Sequence, residues 1–96
     1  MTYHTKVAGV TFEGRQNIIK DLSNGTTIVF ERDPGNKYDP NAVKVLAEGK
    51  HIGFLPRGSW VAKEMDKGKN FKAYISQITG GTAGMSYGVN VDFEII

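Results

Sequence analysis

Met85-Ser-Tyr-Gly-Val-Asn-Val-Asp-Phe-Glu-Ile95 alternates without a break. Met85, Tyr87, Val89, Val91, Phe93 and Ile95 fall on one side, and Ser86, Gly88, Asn90, Asp92 and Glu94 on the other. Successive side chains of a strand point to opposite faces, so the pattern predicts a strand with one face on a core and one in water. Just before it, Gly80-Gly81-Thr82-Ala83-Gly84 reads as a hairpin turn leading back to a strand over 71–79.

The same reading extends towards the N-terminus. A first strand is expected over 3–12, with Ala8, Val10 and Phe12 on one face and Val7 and Gly9 on the other. Ile18, Ile19 and Leu22 recur at helical spacing before Ser23-Asn24-Gly25, which predicts a short helix within 16–22. Residues 26–32 are β-branched and aromatic, with Ile28 and Phe30 together on one face, and they run into a polar loop over 33–41. Val43 and Val45 point inward from a strand over 42–47, Glu48-Gly49-Lys50 turns the chain, and 51–55 returns as the hairpin partner until Pro56 ends it. Ser59 is placed as an N-cap, Trp60, Val61 and Met65 share a helical face, and Gly68 is a stop, so a longer helix is expected over 58–67. Twelve glycines in 96 residues, well above the usual share of about 7%, supply the turns. The sum is one mainly-β domain over 1–96, a six-stranded OB-like β-barrel with one short and one longer helix.

Composition narrows the chemistry. With no Cys, structural disulfides, Cys-ligated zinc, iron–sulfur clusters and thiolate catalysis are excluded together. His4 and His51 are the only histidines, and neither has a metal-ligand partner two to four residues away. No Gly-x-Ser-x-Gly occurs, and the Gly80–Gly84 loop lacks the Lys-Ser/Thr of a phosphate-cradling loop. Asp33 and Asp39 lie among turn residues, while Asp92 and Glu94 lie on the wet face of the last strand. The expectation is a binding module with no catalytic residue, metal or cofactor. No apolar run approaches the ~20 residues that span a bilayer, and the opening Met-Thr-Tyr-His-Thr-Lys lacks the apolar core of a secretory signal, so a cytoplasmic location without membrane contact is expected. Net charge is only +2, yet residues 50–72 hold six basic and two acidic side chains, either a solvated face or one that takes anions.

Two segments carry more than architecture: Arg32-Asp-Pro-Gly-Asn-Lys-Tyr-Asp-Pro-Asn-Ala-Val43 and His51-Ile-Gly-Phe-Leu-Pro-Arg57. With Gly9-Val-Thr-Phe-Glu-Gly-Arg-Gln16 and the Gly80-Gly81 hairpin, they resemble the HIRAN domain over nearly the whole chain. That resemblance implies a modified OB-like barrel that binds DNA. In members attached to remodelling ATPases it captures the 3′ end of a single strand, and in bacteria and phages the domain also stands alone. The implied partners are single-stranded DNA or DNA ends, with a helicase or nuclease as a protein partner, in DNA repair. Carried onto this chain, Phe12 and Tyr38 are stacking surfaces, Asp39 accepts from the terminal 3′-hydroxyl, and Arg57 binds a phosphate; each role suits the chemistry of its side chain.

The chain departs from the end-binding pattern at three positions. Thr11 stands for a basic residue, which Lys37 or Arg15 would have to replace. Phe54 stands for a histidine and keeps the stacking surface, while Met85 stands near an aromatic position. Plainer roles compete for the same side chains. Tyr38 could close the barrel, Asp39 and Asn41 could cap the loop, Phe12 could be core, and Arg32 is a cross-strand partner or a phosphate ligand. Trp60 reads as core. Arg57 precedes a helix start, where the dipole disfavours a cation, which argues for a functional role. A protein-interaction adaptor using the same barrel face is the alternative function.

Overall fold

The structure, a computed structural model, describes residues 1–96. Its elements are β1 (Tyr3–Lys6), α1 (Arg15–Ile19), β2 (Thr27–Arg32), β3 (Val43–Ala47), β4 (Lys50–Phe54), α2 (Val61–Asp66), β5 (Phe71–Thr79) and β6 (Gly88–Ile95). The six strands form one antiparallel sheet in the order β1-β6-β5-β2-β3-β4. Alternation places Ile28 and Phe30 of β2, Val43, Val45 and Ala47 of β3, Ala73 and Ile75 of β5, and Val89, Val91 and Phe93 of β6 in one core. Ile19 from α1 and Val61 from α2 enter it from the two helices and are fully buried. Each such aliphatic side chain contributes roughly 1.5–3 kcal/mol on leaving water.

The sheet curls until its edges meet. Beyond β1, Val7 still donates to Val89 O at 2.9 Å, and Ala8 exchanges two backbone hydrogen bonds with Phe54 of β4, at 2.7 and 2.9 Å. Ala8 therefore joins the two outermost strands, β1 and β4, and turns the sheet into a partly closed barrel. Gly53 makes the approach possible, because a Cβ there would lie 2.5 Å from Ala8 O and 2.5 Å from Val7 Cγ1.

Three expected elements change at their ends. The first strand stops at Lys6 rather than running to residue 12: Gly9 is left-handed at φ 71°, and residues 10–14 are turns that lift Phe12 out of the sheet, 64% exposed. The second helix is short, six residues against five in the first, and covers Val61–Asp66 rather than 58–67; the N–H of Val61 donates to Ser59 Oγ at 3.3 Å. The last strand begins at Gly88, with Met85 spent in the hairpin turn, where its carbonyl accepts from Gly81 N.

Trp60 is not core. It packs edge-on to Tyr3 at 4.9 Å and against Phe93 at 5.8 Å, yet remains 40% exposed, a lid over one end of the aromatic cluster. Neither helix is long and apolar enough to cross a membrane.

Candidate functional site

The loop between β2 and β3 is organised by its own polar side chains. Asn36 Oδ1 accepts from the backbone N–H groups of Tyr38 and Asp39 at 2.9 and 3.0 Å, and Asp39 Oδ1 accepts from Asn41 N at 2.9 Å. These are the local turn bonds that Asn and Asp favour. They leave the Tyr38 ring outside the loop, 85% exposed, so it does not close the barrel. Arg57, just after β4, donates from Nη2 to the Tyr38 carbonyl.

Arg32 serves the loop from behind. It donates to the carbonyls of Ala42 and Pro40 at 2.8 and 3.2 Å, and its Nε and Nη2 take the two carboxylate oxygens of Asp66 in α2 at 2.9 and 3.3 Å. All three nitrogens of this guanidinium are hydrogen-bonded. Arg32 is a brace between loop and helix.

Opposite this loop stands the turn segment 9–14, fastened by Gln16. Its amide donates to Val10 O and Tyr87 O at 2.9 and 3.0 Å and accepts from Tyr87 N at 2.7 Å. Between loop and turn lies a cleft of about 730 Å³. Phe12, Tyr38, Asp39, Phe54 and Arg57 all line it. Five positions scattered over 46 residues of chain are thus one surface. Thr11, Lys37 and Met85 are exposed and lie outside the lining. A smaller cleft of about 500 Å³ lies across the Tyr38–Arg57 ridge, towards Trp60 and Lys63.

The sequence reading underrated Arg15. It is 6% exposed, donates from Nη1 to Gly9 O at 2.7 Å and from Nη2 to Glu13 Oε2 at 2.8 Å, and its guanidinium carbon lies 5.3 Å from the centre of the Phe54 ring. The argument applied to Arg57 could have found it, since Arg15 opens α1, where the dipole gives a cation nothing. His51 meets Phe54 edge-on at 4.8 Å. Its Nε2 donates to Gly53 O at 2.8 Å, and because a carbonyl only accepts, that nitrogen carries the proton. Burial, followed by the charge of Arg15, pushes the His51 pKa below its ordinary 6.5. The ring is therefore neutral at neutral pH and fixes one edge of Phe54.

Chemically, the cleft offers two exposed aromatic faces, a third ring on the floor, one free cation, and a carboxylate with one oxygen to spare. Asp39 Oδ1 caps the loop, while Oδ2 makes no hydrogen bond. No group of three His, Cys, Asp or Glu side chains is placed to hold a metal ion.

The structure is similar to the crystal structure of the HIRAN domain of human HLTF, with a TM-score of 0.70 at 23% identity, covering 96% of this chain and 74% of that one. It is also similar to a protein from Lactobacillus plantarum, with a TM-score of 0.73 at 19% identity over 98% and 97% of the two chains. These likenesses are of fold. Among curated proteins, no sequence gave a significant match. The family model of the HIRAN domain matches residues 1–95, and so the chain belongs to the HIRAN family of DNA-binding modules.

Proposed function

We propose that the cleft receives the end of a DNA single strand and performs no chemistry on it. The observation that supports this is the convergence of Phe12, Tyr38, Asp39, Phe54 and Arg57 on one cleft. Bases stack on exposed aromatic faces whatever their sequence, which suits Tyr38 and Phe12. Arg57 holds a backbone phosphate, and Asp39 Oδ2 accepts from a terminal 3′-hydroxyl while Oδ1 keeps the loop in shape. Phe54 supplies a stacking floor without the hydrogen bond of a histidine, and Thr11 brings no charge, so preference for a free end is modest. A helicase or nuclease acting on the same strand during DNA repair in the cytoplasm is the protein partner such a module serves.

The test is a titration of a thymidine oligonucleotide at several salt concentrations. Arg57→Ala lowers affinity and flattens the slope of log affinity against log salt by about 0.7, the contribution of one single-strand phosphate contact. Tyr38→Ala costs about 1–3 kcal/mol with the slope unchanged, as loss of stacking requires. Asp39→Ala removes the preference for a 3′-hydroxyl over a 3′-phosphate; as a turn cap alone, it would lower the melting temperature and leave the preference intact. Equal wild-type affinity for 3′-hydroxyl, 3′-phosphate and circular strands overturns end recognition. Absence of salt-dependent DNA binding would favour the adaptor reading.

A further inference from the structure

The two arginines with carboxylate partners in and behind the cleft are satisfied to different degrees. Arg32 presents Nε and Nη2 to Asp66, one oxygen each, at 2.9 and 3.3 Å. That is the full two-pronged fork for which a guanidinium is shaped. Arg15 presents the same edge to Glu13 but holds only one oxygen, on Nη2 at 2.8 Å. Its Nε is sealed from solvent with no partner. A buried donor left unpaired is rare in folded proteins and calls for an explanation.

Glu13 is a poor permanent partner. Its side chain is 76% exposed, against 7% for that of Arg15, and its backbone sits at φ 54°, where a side chain costs roughly 1–2 kcal/mol. Both residues line the cleft. The pair thus sets a solvated, easily displaced anion over a half-filled fork.

We propose that Arg15 is a phosphate subsite of the cleft, masked in the free protein by the Glu13 carboxylate. Glu13 stands in for the ligand: it neutralises the buried guanidinium until a phosphate arrives. On binding, the carboxylate swings into water and two phosphate oxygens take Nη2 and Nε, completing the fork that Glu13 leaves half empty. Arg15 stays anchored throughout by its Nη1 bond to Gly9 O and by the Phe54 ring. The phosphate comes from the backbone of the strand, so this inference rests on the DNA-binding reading above. Glu13 then acts as a threshold, so that strands fully seated in the cleft displace it and weakly held anions do not.

Glu13→Gln tests it, since Gln keeps an oxygen for Arg15 and removes the competing charge. The variant is expected to bind a thymidine oligonucleotide roughly two- to fivefold more tightly, the range of one partly exposed ion pair that no longer has to break. Its salt slope stays that of the wild type, since the same phosphate meets Arg15 in both proteins once Glu13 is displaced. Glu48→Gln, the same charge change in the β3–β4 turn, leaves affinity unchanged. Inorganic phosphate supplies an arm without DNA: it shifts the Arg15 Nε–H resonance in Glu13→Gln at concentrations that leave the wild-type signal still.

An unchanged or weaker affinity in Glu13→Gln overturns the masking, and so does a gain matched by Glu48→Gln. A resonance indifferent to phosphate in both proteins overturns the subsite. Should the oligonucleotide bind neither protein while phosphate still moves the Arg15 signal in the variant, the DNA reading falls and the masked subsite stands. Should Tyr38→Ala weaken DNA binding while Glu13→Gln changes nothing, the reverse holds.

Discussion

His51 touches no ligand surface, yet it decides how Phe54 is presented. Its ring is held edge-on to Phe54 and bonded to Gly53 O, with burial and Arg15 lowering its pKa. The sign of the consequence follows. Because the folded value lies below the unfolded 6.5, the unfolded chain takes up the proton first as pH falls. Stability contributed by neutral His51 is complete above pH 6.5 and is lost as pH drops from there through the lowered folded value. Thermal melts between pH 7.5 and pH 5 are expected to show this loss, and His51→Gln should remove its share. A wild type and variant with parallel pH profiles would show that the ring titrates without cost. At this same scale the sequence leaves Arg32 open between a cross-strand partner and a phosphate ligand. Its identity allowed a phosphate contact, and only the fold brings Asp66 from α2 against it.

Strand β4 is the element on which closure depends. Gly53→Ala would set a methyl group against Ala8 O and Val7 Cγ1, each at 2.5 Å, where backbone has little room to yield. Overpacking of this kind costs about 1–3 kcal/mol. In a domain of this size each kcal/mol lowers the melting temperature by roughly 4–8 °C. A melting temperature within 2 °C of wild type, by the same scaling, would mean that the contact relaxes freely. Strands β2, β3, β5 and β6 were legible because each buries one face, and alternation records that burial directly. The end of β1 was not. Residues 7–12 continue the alternating pattern, and what stops the strand is the left-handed Gly9 together with a bond from Ala8 to a distant strand, neither of which periodicity reports. The length of α2 was overread for a related reason: Trp60 has helical spacing, but it is drawn to the aromatic rings of Tyr3 and Phe93 at the barrel end. Phe12, Tyr38, Asp39, Phe54 and Arg57 could be named from family resemblance, whereas Arg15 needed the fold to show that its charge is buried.

Across the whole molecule, the barrel closes through one pair of residues, and both members of that pair line the cleft. A bridge of two hydrogen bonds is the cheapest place for the barrel to open, since local openings in proteins start where few bonds must break. The amides of Ala8 and Phe54 should therefore exchange with solvent faster than those in the middle of β5 and β6, as hydrogen-exchange rates would reveal. An oligonucleotide seated in the cleft should slow these two selectively; slowing spread evenly over the sheet would place the ligand elsewhere. The bridge between Ala8 and Phe54 thus acquires a meaning beyond architecture. A ligand lying across the seam binds the shut barrel and not the parted one, so occupancy and closure are two readings of a single equilibrium. At a ligand concentration a hundred times Kd, that coupling adds about 2.7 kcal/mol to the fold. On the proposed function the domain is a clasp, fastened by the very strand it would grip.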